Sequence, residues 1–362
     1  MKKVFSWLFI IIGIVILVMS TSRRIMKYVS DKRAGWVGAF GIHRGNGGDL
    51  VNMSFLGNEP KFLEHTNFVF KRSPDTVNKN INLYVWGDSY VIHIPAYAYA
   101  HVNKFQLGRR DFTDLHYKLD PNKKNILIIE NGERFVRIYF KFLAIFDHVQ
   151  KDTGAISFRD SHNTFSAHYA SLGPGGDIHL TDLFNPDINQ NIEYNLFNYN
   201  YIYRVRELKA EMNYRYFNRV SGDVALSEDG KHLFLKQTIA AHDILSCYED
   251  MKSAEIDKLC TNIDSIYKHY KNEGFDEVYF SVIPNPATIL QPAYYNGLIP
   301  VLEKRADSMG IPFIDIYKAF SHYPNPSELY TNGDTHWNNK GWEIWLDTLN
   351  KELNKQSGQL KK

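Results

Sequence analysis

The sequence predicts an α/β fold: a three-layer, doubly wound and mostly parallel sheet with an inserted aromatic-rich subdomain and an N-terminal transmembrane helix. Short apolar runs that end at turns alternate with stretches of helical pattern. These runs are apolar throughout, as strands are when both faces of a parallel sheet are covered. A chain of 362 residues, 44% hydrophobic and 23% charged, has room for one large domain with insertions or for two domains, and its composition excludes a disordered chain.

The N-terminus predicts a membrane segment. Lys2 and Lys3 precede a run of large apolar side chains from Val4 to Met19, which just reaches the roughly 20 residues of a bilayer span when Ser20 to Ser22 are included. We expect an uncleaved signal anchor over residues 1–22, with a cleaved signal peptide as the alternative. The basic residues behind the run outnumber those before it and, taken alone, favour a cytoplasmic body: Arg23, Arg24, Lys27, Lys32 and Arg33.

Residues 23–80 are predicted to form a linker and a leading segment. Six glycines lie between Asp31 and Asp49, in a stretch that lacks the Gly-Lys-Ser/Thr of a phosphate loop and follows no strand. Nucleotide binding is therefore not expected there. The glycines are Gly35, Gly38, Gly41, Gly45, Gly47 and Gly48.

The main domain is predicted over residues 81–153 and 239–354, followed by a polar tail over 355–362. Its expected strands are Asn82–Trp86, Val102–Leu107, Asn125–Glu130, Glu277–Ile283 and Pro312–Ile316. Its expected helices are Ala254–Lys271 behind a Ser253 cap, Tyr294–Met309 and Asn339–Asn354. In a doubly wound sheet, ligands bind at the carboxyl ends of the strands.

Residues 154–238 break the strand-helix alternation and are predicted to be an insertion. They contain a Gly/Pro loop at Gly173 to Gly176 and a hairpin over Asp223 to Leu235 with Asp229-Gly230 at its turn. The tyrosines of the insertion are equally suited to stacking on sugar rings, beside Trp337 and Trp342, and to packing an irregular subdomain. They are Tyr194, Tyr199, Tyr201, Tyr203, Tyr214 and Tyr216.

The composition argues against several function classes. With 42 basic and 40 acidic residues the net charge is +2, so no nucleic-acid partner is expected. Cys247 and Cys260 are too few for a disulfide framework or a zinc site, and we expect two unpaired buried thiols rather than a bridge, which would need a turn between them. The histidines outside the C-terminal motif show no metal-ligand spacing, so neither a metal nor a cofactor is expected.

A candidate nucleophile follows the first strand. In Trp-Gly-Asp-Ser-Tyr, Ser89 comes directly after Gly87 and Asp88, where a turn would lift its hydroxyl to the carboxyl edge of the sheet. The alternative is a tight turn in which the serine caps a helix.

A candidate base and its orienting carboxylate lie near the C-terminus, in the segment TNGDTHWNNKGW. His336 follows Asp334 by two residues, and a helix comes next. A serine needs such a base, and the base needs a third group to orient it. The alternative is a surface loop that caps the following helix.

Taken together, these motifs resemble the SGNH hydrolase superfamily, and within it the branch of alginate O-acetyltransferase-like polysaccharide acetyltransferases. The segment NILIIENGER resembles the family's strand ending in Glu-Arg, here Glu133-Arg134, and LYTNGDTHWNNKG its histidine block. SVIPNPATIL and MGIPFIDIYKAF, the latter with Asp315, are similar to the segments between them. The resemblance covers roughly Ile81 to Leu349 without 154–220. Here Ser89 precedes the histidine block, as in ordinary SGNH hydrolases, which leaves the glycan open.

The resemblance implies site residues. Ser89 is the expected nucleophile, His336 the general base and Asp334 the carboxylate that fixes the imidazole tautomer. The expected oxyanion donors are the Ser89 amide, Gly108 and Asn131, although turn chemistry explains a glycine and an Asn-Gly pair almost as well. The candidate substrate-binding residues are Trp337, Asn338 and Arg134.

The function implied is a membrane-anchored O-acetyltransferase of a cell-envelope or exported polysaccharide, working through an acyl-enzyme on Ser89. An acyl esterase with the same triad and a catalytically silent glycan-binding scaffold are the alternatives. The resemblance further implies an inner-membrane, single-pass protein with a periplasmic catalytic domain, supplied with acyl groups by an integral membrane acyltransferase.

Overall fold

The computed structural model describes residues 2–22, 25, 26, 28, 47–63, 69–74, 79–110, 113–143, 145–152 and 188–358. Most of the expected linker, the Gly173 to Gly176 loop and the first part of the expected insertion lie outside these residues. The described chain forms two compact units. We call the part within 1–46, 54–59 and 162–221 the anchor unit, and the part within 47–53, 60–161 and 222–362 the sheet unit.

The sheet unit is built on four parallel strands in the order β2-β1-β4-β8. Two small two-stranded sheets accompany it: β3 with β5, parallel, and β6 with β7, antiparallel. The strands are β1 Ile81–Gly87, β2 Val102–Arg109, β3 Leu115–Tyr117, β4 Lys124–Gly132, β5 Val149–Lys151, β6 Val224–Leu226, β7 Leu233–Leu235 and β8 Glu277–Ile283.

The described helices belong to both units. They are α1 Lys2–Thr21, α2 Asp49–Ser54, α3 Glu133–Phe142, α4 Ile145–His148, α5 Ile188–Phe197, α6 Tyr203–Phe217, α7 Ser253–Asn272, α8 Pro286–Leu290, α9 Leu298–Ser308, α10 Ile316–Ser321 and α11 Asn339–Ser357. The three predicted helices correspond to α7, α9 and α11, and the second begins four residues later than expected, at Leu298. The cap of α7 differs too, because Lys252 rather than Ser253 is its N-cap residue.

The two faces of the sheet enter two separate hydrophobic clusters, as alternation along a strand requires. Leu83 and Val85 of β1 point to the cluster that contains Trp345 of α11. Tyr84 and Trp86 point to the opposite cluster, which includes side chains of α3, α7 and α9. Because both faces are covered, β1 is buried along its whole length and its chemistry is confined to its ends.

The central strands were predicted closely, and the hairpin with its turn at Asp229-Gly230 is confirmed, Gly230 having a φ of 66°. The predicted strand Pro312–Ile316 is wrong. That segment makes a single parallel bridge, between Phe313 and Phe280 of β8. Pro312 has no N–H to donate and α10 begins at Ile316, so too few residues remain for a strand.

The anchor unit contains the apolar N-terminal helix. Residues Lys3–Thr21 are long and apolar enough to cross a membrane, with only 11% of the most apolar stretch buried. This is consistent with a signal anchor or with a signal sequence. Among the described residues of α1, Ser20 and Thr21 of the last turn are the buried ones, and Asn191 and Asn195 of α5 donate hydrogen bonds to Ser20 there.

Both cysteines are free and buried, as predicted. Cys247 precedes α7 and its thiol donates to the carbonyl oxygen of Thr238, whereas Cys260 lies within α7. Burial raises the pKa of the Cys247 thiol, so it is an inert core group rather than a reactive one.

Candidate active site

Ser89 lies at the carboxyl edge of the sheet, two residues beyond the end of β1. Hydrogen bonds hold the turn on both sides of it. The amide of Asp88 donates to Oε2 of Glu130 over 2.9 Å, and the amide of Tyr90 donates to Oδ1 of Asp88 over 3.0 Å. Asp88 thereby makes an Asx-type turn that presents the Ser89 side chain, which is partly exposed.

The second part of the site is the loop before α11. Its base is closed by an antiparallel bridge between Tyr330 and Trp337. Gly333 is needed within it, because a Cβ there would lie 2.3 Å from the carbonyl oxygen of Phe62. The loop therefore packs directly against the backbone of Phe62 at the position before Asp334.

The three predicted residues form one hydrogen-bonded chain. Ser89 Oγ lies 2.7 Å from His336 Nε2, and His336 Nδ1 lies 2.6 Å from Asp334 Oδ1. Because the carboxylate accepts the Nδ1 proton, Nε2 is left as the acceptor for the serine hydroxyl. The hydrogen bond and the charge of His336 outweigh the effect of burial and lower the pKa of Asp334 to about 2, so its carboxylate is ionised at neutral pH.

Asp49 is a second carboxylate beside the histidine, and the sequence did not indicate it. Its side chain accepts hydrogen bonds from the amide and the hydroxyl of Thr335, and its amide donates to Oδ2 of Asp334 over 3.1 Å. Partial burial and the nearby charge of Asp334 raise the pKa of Asp49. Gly48 lies against this loop, since a Cβ there would be 2.5 Å from the carbonyl oxygen of Gly333. The end of the expected linker therefore belongs to the site.

A buried ionic network lies beneath Ser89. Oδ2 of Asp88 accepts from the amide of Gly132 over 2.8 Å and lies 3.4 Å from Nη2 of Arg110. Burial would raise the pKa of Asp88, but Arg110 and the backbone donors lower it. Burial and the charge of Asp88 raise the pKa of Glu130 well above its usual range. The turn before the nucleophile therefore rests on two buried carboxyl groups whose pKa values are shifted in opposite directions.

Two N–H groups at this edge of the sheet have no hydrogen-bond partner among the described residues. The Nδ2 of Asn131 is buried and has no hydrogen-bond partner in the described chain, while its Oδ1 accepts from Nη1 of Arg110 over 3.0 Å. Among the described residues, the amide of Ser89 likewise has no acceptor. Gly108 lies inside β2, paired with Trp86, and a Cβ there would be 2.6 Å from Cβ of Leu115. Close packing therefore accounts for the glycine at 108.

The three candidate substrate-binding residues differ in exposure. The ring of Trp337 is 1% exposed and packs against Tyr90, Phe320 and Trp345, which leaves no face for a sugar. Asn338 caps α11, its Oδ1 accepting from the amide of Lys340 over 2.9 Å. Arg134 and Asn338 are both partly exposed, and the guanidinium carbon of Arg134 lies 6.0 Å from the ring centroid of Tyr90.

Tyr90 ties the nucleophile turn to the histidine loop. Its hydroxyl donates to the carbonyl oxygen of Thr335 over 2.7 Å, and its ring centroid lies 4.8 Å from that of His336. Partial burial, followed by the nearby charges of Arg109 and His336, lowers the pKa of His93. In the sequence His93 is one of the histidines without metal-ligand spacing, and that spacing gives no signal for a place beside the site.

Ligand atoms of Asp49, Asp334 and His336 all lie within 4.8 Å of one another. The Nδ1 of His336 is already hydrogen-bonded to Asp334, so a cation there would compete with the contact that orients the imidazole.

A separate cavity of about 630 Å³ flanks the loop on another side. Its lining includes Lys61, Lys231, Asn332, Asn338 and Lys340 but neither Ser89 nor His336.

No family model, curated protein or solved structure matches this chain.

Proposed function

We propose that the protein is a membrane-anchored, serine-dependent O-acetyltransferase that modifies a cell-envelope or exported polysaccharide through an acyl-enzyme on Ser89. The chain of hydrogen bonds from Ser89 through His336 to Asp334 carries the proposal, because those three groups have no structural need to align. The motif resemblance to polysaccharide acetyltransferases supports the choice of acetyl group and glycan.

A doubly wound sheet of the SGNH type is part of the proposal. It is supported by four parallel strands in the order β2-β1-β4-β8, with the serine directly after β1 and the histidine directly before α11. The resemblance rests on short segments of sequence, so the strand order is an independent argument for the same class.

In the first step of the proposed reaction, Ser89 Oγ bonds to the acetyl carbon of a donor ester or thioester while His336 Nε2 takes the hydroxyl proton. The bond from that carbon to the leaving oxygen or sulfur breaks, and the imidazolium returns the proton to the leaving group. In the second step a sugar hydroxyl loses its proton to His336 and attacks the acetyl carbon. Ser89 then leaves and is reprotonated.

The negative charge of each tetrahedral intermediate needs preorganised donors. We assign this role to the amide of Ser89 and Nδ2 of Asn131, since both are unpaired within the described residues. Neither a metal nor a cofactor enters the proposed reaction. Arg134 and His93 are the side chains that we expect to contact the substrate.

We further propose a single span in the inner membrane with the sheet unit in the periplasm, and an integral membrane acyltransferase that delivers the acetyl group. The apolar helix α1 supports attachment to the membrane. The proposed acetylation of an exported glycan favours a periplasmic sheet unit, whereas the basic residues that follow α1 favour a cytoplasmic one.

Purified protein incubated with an acetyl ester, with and without oligosaccharide, tests the reaction. We expect acetylated sugar, detected by mass spectrometry, and none with Ser89→Ala. Acetate release that is unaffected by sugar, with no acetylated product, would establish the acyl esterase instead. Full function of Ser89→Ala in the cell would favour the silent glycan-binding scaffold.

A further inference from the structure

Helix α6 of the anchor unit carries an apolar stripe that faces solvent. Val205, Leu208, Met212 and Tyr216 are between 48% and 75% exposed. At 100° per residue they fall within an arc of about 80°, so they form one continuous strip along the helix. Single exposed apolar residues are ordinary, but four in register on one helix are not.

The opposite side of α6 explains why this stripe is left outside. Tyr203, Arg206 and Glu207 are buried. The Arg206 guanidinium lies 3.7 Å from the ring centroid of Phe55, and Tyr203 packs edge-on against the same ring at 5.7 Å. Helix α6 therefore packs against the rest of the anchor unit through polar and aromatic groups, and its aliphatic face points outward. A helix that covers the core of a water-soluble protein has the opposite arrangement.

The charged groups bordering the stripe are neutralised by their neighbours. Arg204 pairs with Glu207 at 2.7 Å, Arg215 pairs with Glu59 at 2.7 Å, and Lys209 pairs with Glu193. Aromatic side chains lie at both ends of the helix, where Tyr201 and Phe217 are exposed. Aromatic and aliphatic side chains flanked by paired charges suit the boundary between lipid headgroups and acyl chains.

The anchor unit also shows where that boundary would lie. Residues 4 to 15 of α1 are exposed and, apart from Ser6 and Gly13, carry apolar side chains, whereas Ser20 and Thr21 are buried where α5 bonds to Ser20. If the exposed part of α1 lies in a bilayer, α5 sits at the level at which the span ends. Five residues separate α5 from α6, so α6 begins close to the same level.

We propose that α6 lies in the membrane interface with Val205, Leu208, Met212 and Tyr216 inserted among the lipids, as a second attachment beside α1. The bilayer covers the stripe. Binding is driven by burial of apolar area rather than by attraction to anionic lipids, because the flanking basic groups are already paired. The inference depends on α1 being in the membrane and not on the acyl chemistry.

The full chain reconstituted at low density in phosphatidylcholine vesicles tests this. Single cysteines at Met212→Cys and Arg204→Cys carry a polarity-sensitive fluorophore, and wild type is the labelling blank because Cys247 and Cys260 are buried. We expect blue-shifted emission at 212 that lipids with brominated acyl chains quench at least twofold more than at 204. Both positions are exposed, and 204 is rotated about 80° from the centre of the stripe.

Two results would overturn the proposal. Water-like emission at both positions would mean that the stripe faces solvent beside the membrane. Blue-shifted emission at 212 without bromolipid quenching, increasing with the protein-to-lipid ratio, would mean that a second copy of the chain covers the stripe. Loss of acetyl transfer, by contrast, leaves these signals unchanged.

Discussion

The guanidinium of Arg110 donates a 3.0 Å hydrogen bond to Oδ1 of Asn131. This contact fixes which end of the amide is free: the oxygen is occupied, and the unpaired NH₂ remains as a donor. Arg110 also reaches Asp88, the residue before the nucleophile, at 3.4 Å. One buried cation thus sets both the orientation of a candidate oxyanion donor and the position of the turn that carries Ser89.

Replacing Asn131 by Asp tests that donor. The variant keeps an acceptor for Arg110 and loses the N–H groups, so we expect kcat for an acetyl ester to fall about 10²- to 10³-fold with little change in KM. Asn122→Asp, on an exposed turn, is the control and should match wild type. An N131D enzyme that keeps a third or more of wild-type kcat would remove Asn131 from the oxyanion site.

Ser89→Ala and His336→Ala test the triad itself. We expect each to lower acetyl-ester turnover by at least about 10²-fold, since general-base transfer alone contributes about 10² to 10⁴. The double variant should be no slower than the slower single variant, because the two groups act as one unit. Thermal unfolding should be nearly unchanged, as both side chains are partly exposed.

Exposed residues of the same type serve as controls for that experiment. Ser265→Ala on α7 and His322→Ala after α10 remove a hydroxyl and an imidazole away from the site. Both should retain wild-type turnover. Equal activity of Ser89→Ala and Ser265→Ala would refute the acyl-enzyme.

Arg110→Met tests the buried network. It leaves the Asp88 carboxylate without its cation, and breaking a buried ion pair in this way costs about 3–5 kcal/mol. We expect urea unfolding to show a loss of that size. Adding Asp88→Asn should recover part of it, because the uncompensated charge is then gone. If Arg110→Met lost no more unfolding free energy than the double variant, other groups would be compensating the Asp88 charge.

The sequence was sufficient for the parts of the fold that local pattern encodes. Continuous apolar runs located β1 and β8, and an Asp-Gly pair located the hairpin turn. It failed at Pro312–Ile316, where the pattern is apolar but the chain bends into α10. Periodicity reports what is buried, and it does not report which strand neighbours will supply hydrogen bonds.

The candidate site likewise contains residues that the sequence predicts and residues that it does not. Ser89, Asp334 and His336 lie in recognisable short motifs, and the motifs together predict that the serine and the histidine meet across 247 positions of chain. Asp49 and Arg110 have no such motif. Asp49 ends a glycine-rich stretch of loop composition, and Arg110 is one of two adjacent arginines. Their roles come from long-range contacts, which a local pattern does not encode.

The buried carboxyl group of Glu133 gives a prediction for pH. Burial raises its pKa to about 7, although Thr288 and the amide of Asn285 donate hydrogen bonds to it. An acid whose pKa is raised by folding is favoured in its neutral form. Its contribution to stability is therefore complete below the unfolded pKa of about 4.3 and is lost as the pH rises to about 7.

Glu133→Gln retains an acceptor for Asn285 and Thr288 and cannot ionise. We expect its free energy of unfolding to match that of wild type near pH 4 and to exceed it at pH 8 by up to about 3.5 kcal/mol, the free energy equivalent to the pKa shift. Urea unfolding at the two pH values measures this difference. Glu352→Gln, on the partly exposed surface of α11, is the control and should show no such divergence. Parallel curves for wild type and E133Q from pH 4 to pH 8 would mean that Glu133 ionises in the folded protein as readily as in the unfolded chain.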